Sequence, residues 1–473
     1  MNHGPAGRRT LRGRASAVVL DPCDPMQAAR ALVATHFMND DHRLLHGHRG
    51  TFWLFDANHY LPADQETVRG VLWRFLEGAQ RLGDKGKPVP FKPSRARVSD
   101  VLDALASVCR LDNRIDPPMW LDGADELPAA AEMFPVTNGL LHLPSGKLYP
   151  PTPSYFGLTA SEVAFDPDAR EPKHWLAFLA DLFRADAEAI ATLQDWFGYV
   201  LTPDTSQQKI LFVVGPRRSG KGTIGRVLTA LIGRDSVANP TLASLQTPFG
   251  LAPLIGSKTL AFITDARLGS RSDHAAITER LLSISGEDAL TIDRKHIDAW
   301  TGHLPTRFAI LTNELPRISD TSGALVGRLV VLFLVQSFYG REDPGLTTRL
   351  LTELPGILNW ALHGYRRLRQ RGYFIQPASA REAIEDLEVL ASPIKAFVND
   401  RCHVRPGLRV SVEVLFQNWC VWCDSVGRNE PGTKQTFGRD LKAAIPSLRT
   451  TRPREGDGRY REYEGIALKE GGR

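Results

Sequence analysis

The chain has 473 residues, of which 42% are hydrophobic and 23% are charged, a composition typical of a globular protein with roughly two to four domains. Its formal net charge of +5 at pH 7 permits a nucleic-acid partner without requiring one. The longest apolar runs, such as LVVLFLV at 329–335, are far too short to cross a membrane, and the five cysteines are too scattered for a disulfide framework. These properties exclude a membrane-spanning protein and a disulfide-stapled secreted one, and they predict a cytoplasmic protein.

The amino-terminal part is predicted to hold an arm, an accessory domain and a joining segment. Residues 1–24 are small and basic, which predicts a disordered arm. Residues 25–148 are predicted to form a mainly helical accessory domain, in which patterns such as VRGVLWRFLEGAQRL accompany one strand–turn–strand signal, GTFWLFDANHYL. A proline-rich joint, YPPTPSYF, opens a helical segment at 149–205.

Two further domains are predicted after this segment. Between 206 and 376, short apolar strands alternate with helical stretches, which predicts an α/β fold with a mostly parallel sheet. Residues 385–473 are basic and show the order helix, helix, β-wing, which is typical of a winged-helix domain.

The sequence KILFVVGPRRSGKGTIGRVLTALIG, from Lys209 to Gly233, carries the most specific chemistry. An apolar strand meets a glycine-bounded turn, and the next element, an amphipathic helix, directs its free N–H groups and positive dipole end toward that turn. Gly215 and Gly220 let the backbone curl around phosphate oxygens, and Lys221 can reach the β- and γ-phosphates. The residues predicted to bind the nucleotide are Gly215, Pro216, Arg217, Arg218, Ser219, Gly220, Lys221, Gly222 and Thr223.

One position departs from the usual phosphate-binding loop. Gly222 comes after Lys221, where a serine or threonine is usual, so the hydroxyl moves one residue along to Thr223. Thr223 remains the best hydroxyl for Mg²⁺ or phosphate. Because GKGT also occurs in adenylate-kinase-like loops, a nucleoside monophosphate kinase is an alternative.

Three polar residues mark the ends of later strands. KTLAFITDAR contains a strand that ends at Asp265, whose carboxylate can polarise water or hold Mg²⁺, and the strand in TRFAILTNELP ends at Asn313, whose amide suits orientation of water. Arg328 directly precedes the strand in LVVLFLV. Because open α/β sheets bind ligands at their carboxyl edge, Asp265 and Asn313 are predicted to belong to the loop's site.

The runs QQKILFVVGPRRSGKGTIGRVL, ITERLLSISGEDALTIDRKH, LPTRFAILTNELPRISD and ELPGILNWALHGYRRL together resemble the helicase part of phage and plasmid primase-helicases. These are superfamily-three AAA+ motors, distantly similar to poxvirus helicase-primases. The resemblance covers about residues 30–465 and is densest between 205 and 375. It implies an ATP-dependent DNA helicase of phage or plasmid replication, in which a ring, usually hexameric, hydrolyses ATP between subunits and translocates on single-stranded DNA.

By position, the resemblance implies Lys221 as phosphate ligand, Asp265 as Walker-B acid, Asn313 as polar sensor and Arg328 as arginine finger. The implied cofactors are ATP and Mg²⁺, with Thr223 and Asp265 as the metal contacts. Many members have two adjacent acids where this chain has Thr264 and Asp265. Asp265 is therefore predicted to act either as base or as metal ligand.

Two regions are predicted to contact DNA. GEDALTIDRKHIDAW has the pattern of a β-hairpin, and related motors extend a hairpin here into the ring channel. Lys295 suits its basic tip, with Arg294 and His296 as neighbours, although a solvated turn with scattered charges fits equally well.

The second region is the winged-helix domain, where Lys434, Arg439 and Lys442 lie on the second helix. Basic residues in or near the wing are Arg449, Arg452, Arg454, Arg459 and Arg461. Basic side chains on both elements favour DNA contact, while winged helices also serve as protein–protein modules. The expected partners are single-stranded and forked DNA.

Two functions other than a helicase are also considered. A replication initiator or loader would bind origin DNA without unwinding it, and the carboxyl-terminal domain is compatible with that role. The kinase is disfavoured because such enzymes tend to open with the loop, whereas a long stretch precedes it here. The amino-terminal acids and histidines lie in a short, helix-dominated stretch, so no primer synthesis is predicted, and a separate primase is an expected partner. If the chain is phage-encoded, the expected location is the host cytoplasm.

Cys420 and Cys423 form a CxxC, with Cys402 and His403 upstream, which is a pattern that zinc sites also show. The surrounding sequence, VEVLFQNWCVWCDSV, is typical of an apolar helix in which cysteine is a common core residue. Structural zinc requires four well-placed ligands, so the sequence favours a packing role.

Overall fold

The computed structural model describes residues 18–123, 126–264, 274–295, 297–314, 324–427, 431–452 and 461–469. Most of the predicted arm, together with Asp265, His296, Arg454 and Arg459, lies outside these ranges. The chain divides into two compact units, which comprise Met1–Ala130, Asn138–Leu140 and Tyr149–Leu158 in the first, and Ala131–Thr137, Leu141–Leu148 and Thr159–Arg473 in the second. Within the described ranges, every helix is too short or too polar to span a bilayer.

The helices of the first unit are α1 (Pro25–His36), α2 (Gln65–Gly78) and α3 (Arg95–Val108). Each begins after a capping side chain, because Asp24, Asp64 and Ser94 each accept a hydrogen bond from the backbone N–H three residues further on. Such caps satisfy N–H groups that have no partner within the helix. The apolar faces meet in one cluster, which includes Leu20, Leu32, Leu72, Leu76, Val98 and Leu105.

Twelve short strands lie between residues 38 and 156 in the described part of the chain. They are β1 (Met38–Asn39), β2 (His42–Arg43), β3 (Leu45–His48), β4 (Thr51–Asp56), β5 (His59–Ala63), β6 (Gln80–Leu82), β7 (Pro88–Pro90), β8 (Met119–Trp120), β9 (Met133–Val136), β10 (Gly139–His142), β11 (Lys147–Tyr149) and β12 (Tyr155–Phe156), with a 3-10 turn at Ala130–Glu132. Strands β3, β4 and β5 form an antiparallel sheet, and β1–β2, β6–β7 and β8–β12 pair as two-stranded ribbons.

The predicted strand–turn–strand is confirmed by β4 and β5, which pair antiparallel. The prediction of a mainly helical region was incomplete, because the first unit is a mixture of helices and antiparallel strands. Most of these strands have only two to four residues, as in β1 and β3, which is too short for an alternating pattern to stand out in the sequence.

Two histidines are buried on β3 of the first unit. His46 and His48 are only 6% and 4% exposed, and both rings lie edge-on to Phe156, with centroids 6.1 Å and 5.6 Å away. Burial, followed by the nearby Arg43 guanidinium, lowers the pKa of His46 to about 4, and burial likewise lowers the pKa of His48. Both imidazoles are therefore held neutral inside an aromatic cluster.

The second unit contains the remaining helices and strands. Its α/β part consists of α4 (Lys173–Leu182), α5 (Ala187–Tyr199), β13 (Ile210–Val214), α6 (Lys221–Ile232), β14 (Val237–Ala238), α7 (Leu242–Leu245), β15 (Leu260–Thr264), α8 (His274–Ser285), β16 (Leu290–Arg294), β17 (Ile297–Gly302), β18 (Arg307–Thr312), α9 (Ala324–Arg328), β19 (Leu329–Phe333), α10 (Leu346–Thr352), α11 (Leu354–Arg371) and α12 (Arg381–Ala391). Short 3-10 turns lie at Arg234–Ser236, Ala252–Leu254 and Ala378–Ala380.

The centre of this unit is a five-stranded parallel sheet in the order β14-β15-β18-β13-β19. Residues along β13 alternate between two apolar clusters: Leu211 and Val213 face one, and Ile210, Phe212 and Val214 face the other. Helices α4, α5, α6 and α11 contribute to the first cluster, and α7, α8, α9 and α12 contribute to the second. Both faces of the sheet are thus covered, as a parallel sheet requires. The predicted α/β fold with a parallel sheet is confirmed.

Helices α5 and α11 are clamped together by charge and by close approach. The buried carboxylate of Asp195 accepts hydrogen bonds from Arg367 and Arg371 on α11, with N–O distances of 2.6 Å in both cases. A Cβ atom added at Gly198 or Gly364 would overlap the backbone of the facing helix. Because a buried carboxylate is costly without its cationic partners, this pairing fixes the register of the two helices.

The carboxyl-terminal elements are α13 (Pro393–Arg401), β20 (Cys402–Ser411), α14 (Val412–Ser425), α15 (Lys434–Ala444), β21 (Arg449–Thr451) and β22 (Glu462–Leu468). Their strands form an antiparallel sheet in the order β20-β22-β21. The core includes Phe397, Leu415, Trp419, Phe437 and Ile466. The predicted succession of two helices and a strand pair is present as α14, α15, β21 and β22, and α13 and β20 precede it.

We expect the first unit to lose stability in mild acid. The pKa of His46 lies below its ordinary value of 6.5 in the folded chain, so the unfolded chain binds the proton more readily. Stability should be complete above about pH 6.5 and decline as the pH falls toward about 4, by up to about 3 kcal/mol. The free energy of unfolding, measured by chemical denaturation at several pH values, should depend less steeply on pH in His46→Phe, where the buried His48 still contributes. It should keep the wild-type slope in His363→Gln, which replaces an exposed histidine. An unchanged slope in His46→Phe would contradict the assignment.

Candidate functional site

The predicted strand–loop–helix arrangement is confirmed, because residues 215–220 connect the carboxyl end of β13 to the amino end of α6. The backbone N–H of Gly215 donates to the carbonyl of Thr312 at 3.2 Å, and Leu334 N–H donates to Val214 O at 2.7 Å. The loop therefore begins between the ends of β18 and β19. A Cβ added at Gly215 would lie 2.6 Å from Cβ of Leu334 and 2.8 Å from its carbonyl oxygen, so only glycine fits there.

Gly220 ends the loop and begins the helix. Its φ of +83° is in the left-handed region, and it is the amino-terminal cap of α6. A side chain at Gly220 would press against Phe178 and Leu182 of α4, which pack beneath this turn. The first N–H groups of α6 thus emerge at the loop, together with the positive end of the helix dipole.

The Lys221 side chain folds back into the loop. Its Nζ donates to the carbonyls of Gly215 and Pro216 at 2.7 Å and 2.8 Å, and to the hydroxyl of the buried Ser219 at 3.0 Å. Burial lowers the pKa of Lys221. These three partners are neutral oxygens, and a phosphate would supply the opposite charge that they lack.

Arg226 is a loop neighbour that sequence reasoning missed. Thr223 is buried, and its hydroxyl accepts a hydrogen bond from Nη2 of Arg226 at 3.0 Å, while Nε of Arg226 donates to Thr347 on α10 at 3.2 Å. A guanidinium beside this hydroxyl favours an anion over a cation. The spacing of three residues on one helix was the available signal, since it puts Thr223 and Arg226 on one face.

A second missed element is the segment Leu334–Glu342, which we call the strap. Its Ser337 hydroxyl donates to the carbonyl of Arg217 at 2.9 Å, and its Phe338 N–H donates to the carbonyl of Arg218 at 3.0 Å. Glu342 pairs with Arg218 at 3.5 Å. The strap thus holds the apex of the loop through one hydroxyl, one backbone N–H and one ion pair, and these contacts join residues that are far apart in the sequence.

Of the two residues predicted at the carboxyl ends of strands, Asn313 lies within the described residues and falls on the same edge of the sheet as the loop. Asn313 comes directly after β18 and is half-buried, next to the Thr312 carbonyl that accepts from Gly215. Asp265 would come after Thr264 at the end of β15, but it lies outside the described residues. Parallel strands β15, β18 and β13 end at the same edge of the sheet, so Thr264, Thr312 and Val214 lie along the edge at which open α/β sheets bind ligands.

Arg328 lies at the end of the sheet opposite to the loop, because it directly precedes the first residue of β19, Leu329, which pairs with Ile210 at the start of β13. Five residues of strand, about 16 Å, separate it from the loop of its own chain, which is beyond the reach of an arginine side chain. Arg328 is half-buried, and its guanidinium donates to the Leu282 carbonyl and to the Ser285 hydroxyl at the end of α8. In the isolated chain it therefore caps a helix and does not contact the loop.

The predicted hairpin is confirmed as β16 and β17, which pair antiparallel with Arg294 opposite Ile297. Lys295 comes after Arg294 at the turn and is exposed, with Nζ 5.8 Å from the centroid of the exposed Phe249 ring. His296 lies outside the described residues. The turn of the hairpin therefore presents the Lys295 ammonium beside the Phe249 ring.

The predicted basic residues of α15 differ in availability. Lys434 forms an ion pair with Glu413 on α14, so its charge is already compensated. Arg439 is 76% exposed beside Asp440, and Lys442 is exposed. Arg449, Arg452 and Arg461 are also exposed around the strand pair.

The CxxC lies in α14, where Cys423 is fully buried in the carboxyl-terminal core and Cys420 is partly buried. Cys402 is in the same core, and burial raises its pKa to about 12. Among the described residues, no group of three or more histidine, cysteine, aspartate or glutamate side chains is arranged to hold a metal ion.

Comparison with known families gives two partial matches. Residues 42–184 match a family described as D5 N terminal like, and residues 213–328 match a family of unknown function, DUF5906. The second match contains the loop, Asn313 and Arg328. The chain therefore combines a D5 N-terminal-like region with an α/β region that carries the candidate site.

Solved structures similar to this chain include two of the C-terminal region of NrS-1. The A form apo structure matches with 13% identity and a TM-score of 0.52, covering 94% of this chain and 100% of that one. An apo structure of residues 305–718 matches with 12% identity and a TM-score of 0.53, with the same coverage. At this identity the likeness concerns the fold, which extends across nearly the whole chain.

Gly215, which begins the loop, and Gly222, which lies in the first turn of α6, should respond differently to alanine. Gly215→Ala should destabilise the second unit by a few kcal/mol and weaken binding of tripolyphosphate, because its Cβ would press into Leu334. Gly222→Ala should be neutral or stabilising by about 1 kcal/mol, since its Cβ would meet only Arg226 Nη1, at 3.4 Å, on a helix. Thermal unfolding and calorimetric titration would measure both, and equal effects would argue against this packing.

Proposed function

We propose that this chain is an ATP-dependent DNA helicase that acts in phage or plasmid replication. It hydrolyses ATP between the subunits of a ring and translocates on single-stranded DNA. The observation that carries the proposal is the glycine loop with Lys221, which joins a parallel strand to a helix at the edge where the strands before Asp265 and Asn313 also end.

In this proposal each residue has a role that derives from its charge and position. Lys221 and the N–H groups of α6 bind the phosphates of ATP. Asp265 holds Mg²⁺ or polarises the attacking water, and the Asn313 amide orients that water. Thr223 contacts phosphate or the metal, and the Arg226 guanidinium beside it supports the phosphate role.

Arg328 is the proposed arginine finger of the neighbouring subunit. Its distance from its own loop supports a role in trans, because the amino edge of the sheet is remote from the nucleotide of the same chain. The proposed assembly is an AAA+ ring, in the superfamily-three class and with six subunits.

DNA is the proposed track, contacted by Arg294, Lys295 and His296 at the hairpin and by the carboxyl-terminal domain. The order α13-β20-α14-α15-β21-β22, with strands ordered β20-β22-β21, supports a winged helix. Lys434, Arg439 and Lys442 are its proposed DNA contacts on α15, although Lys434 already pairs with Glu413 and Arg439 with Asp440. The D5 N-terminal-like match supports a replicative context. The proposed location is the host cytoplasm, and a separate primase is a proposed partner.

An initiator or loader is the second candidate, and the exposed basic face of the carboxyl-terminal domain favours it. It would use the same ATP site to control assembly on origin DNA. The two functions differ in whether the bound duplex is opened.

Strand displacement on a forked duplex separates these functions. The wild-type chain should displace a strand only with ATP and Mg²⁺, and single-stranded DNA should stimulate its ATPase. Lys221→Ala should retain DNA binding and lose both activities, because it removes the cation that binds phosphate. ATP-dependent complexes without displacement would favour the initiator, and wild-type protein that neither binds nor hydrolyses ATP would refute both.

Two inactive variants should complement each other if Arg328 acts in trans. Arg328→Ala should lower the ATPase rate by ~10³-fold or more, and Lys221→Ala should be inactive. Mixed rings contain interfaces in which one subunit supplies the lysine and its neighbour the arginine, so activity should return to about a quarter of wild type at equal mixing. Because Arg328 also caps the end of α8, thermal unfolding of each variant checks that a lost activity does not come from a lost fold. Absence of recovery with both variants folded would contradict the finger.

A further inference from the structure

We propose that Tyr339, at the tip of the strap, stacks on the base of the bound nucleotide, which makes the ligand a nucleoside triphosphate recognised through its base as well as its phosphates. The inference rests on the proposed function and adds a contact with the base of the nucleotide at that same site.

The strand order decides on which side of the loop the nucleoside lies. Strands β15 and β18 lie on one side of β13, and β19 lies on the other. Water and metal act on the terminal phosphate, so this phosphate belongs beside Asn313 and the end of β15. A nucleotide threaded through the loop then extends its sugar and base away from these strands, toward the end of β19.

The strap begins directly after β19, on that same side of the loop. It is fixed to both apex carbonyls of the loop, at Arg217 and Arg218, through Ser337 and Phe338. Its position relative to the phosphates is therefore set by the loop itself. A group on the strap moves with the nucleotide site.

Tyr339 occupies a tight turn on this strap. The N–H of Arg341 donates to the carbonyl of Phe338 at 2.9 Å, and Gly340 has a φ of +76°, which is the conformation of a glycine at the third position of a β-turn. This turn directs the residue before the glycine outward. Tyr339 is 79% exposed, the most exposed of the large hydrophobic side chains in the described part of the chain.

A tyrosine ring beside a phosphate site is suited to a base, because every base has a π-face and stacking tolerates differences in sequence or base identity. The neighbouring Arg217 and Arg218 are exposed cations, which suits a ligand that carries phosphate next to an aromatic system.

The test compares ATP with inorganic tripolyphosphate, which has the phosphates and lacks the base. In calorimetric titrations, Tyr339→Ala should weaken ATP binding about tenfold and leave tripolyphosphate binding unchanged, while Tyr339→Phe should bind both as wild type does. Tyr373→Ala is the matched control, because Tyr373 is 62% exposed on the segment after α11 and should affect neither ligand.

Three results would overturn the inference. Unchanged ATP affinity in Tyr339→Ala would mean that the ring faces another partner, such as a neighbouring subunit or DNA. An equal loss for both ligands would mean that the variant disturbs the loop. If neither ligand bound wild-type protein, the nucleotide site itself, and the proposed function with it, would fail.

Discussion

The candidate site depends on two backbone hydrogen bonds that hold the start of the loop between parallel strands. Gly215 N–H donates to Thr312 O on one side, and Leu334 N–H donates to Val214 O on the other. Because β18 and β19 both flank β13, the residues at the carboxyl end of each are brought to the loop. The sheet order alone therefore decides which side chains surround a ligand, and the close contact with Leu334 explains why a glycine opens the loop.

Positive charge is distributed unevenly around this sheet. The carboxyl edge carries Arg217, Arg218, Lys221 and Arg226 at or beside the loop, and Glu342 is an acid that pairs with one of them. This excess favours a polyanion and weakens the retention of a cation without phosphate. A metal at this edge would arrive with the nucleotide, since phosphate oxygens would supply the negative charge that the loop lacks.

Much of the α/β core was predictable because its signals are local. The strands ILFVV, LAFIT and LVVLF are uninterrupted apolar runs, and the change to helical spacing after Gly220 marks the loop. The strap could not be predicted, because its contacts join residues far apart in the sequence and both of its hydrogen bonds end on backbone carbonyls of the loop. The ion pair of Lys434 with Glu413 was equally hidden, since it depends on how α14 packs on α15.

The amino-terminal region shows a different limit. Its three helices have recognisable caps, but ribbons of two or three residues carry almost no periodicity, so the strands were underestimated. The buried His46 was not foreseen, because a histidine in a polar-looking stretch gives no sign of its surroundings. The burial of His46, the ion pair of Lys434 and the contacts of the strap all depend on the folded chain, so the sequence did not predict them.

The clamp between α5 and α11 bears on how this protein can be divided into fragments. Helix α5 precedes the sheet and α11 comes after it, yet they share a glycine-lined crossing and the Asp195 carboxylate. A recombinant piece starting at β13 would keep Arg367 and Arg371 but leave them facing solvent across an open apolar stripe. The smallest excisable fragment that carries the candidate site should therefore begin ahead of α4, so that both ends of the α/β core remain joined.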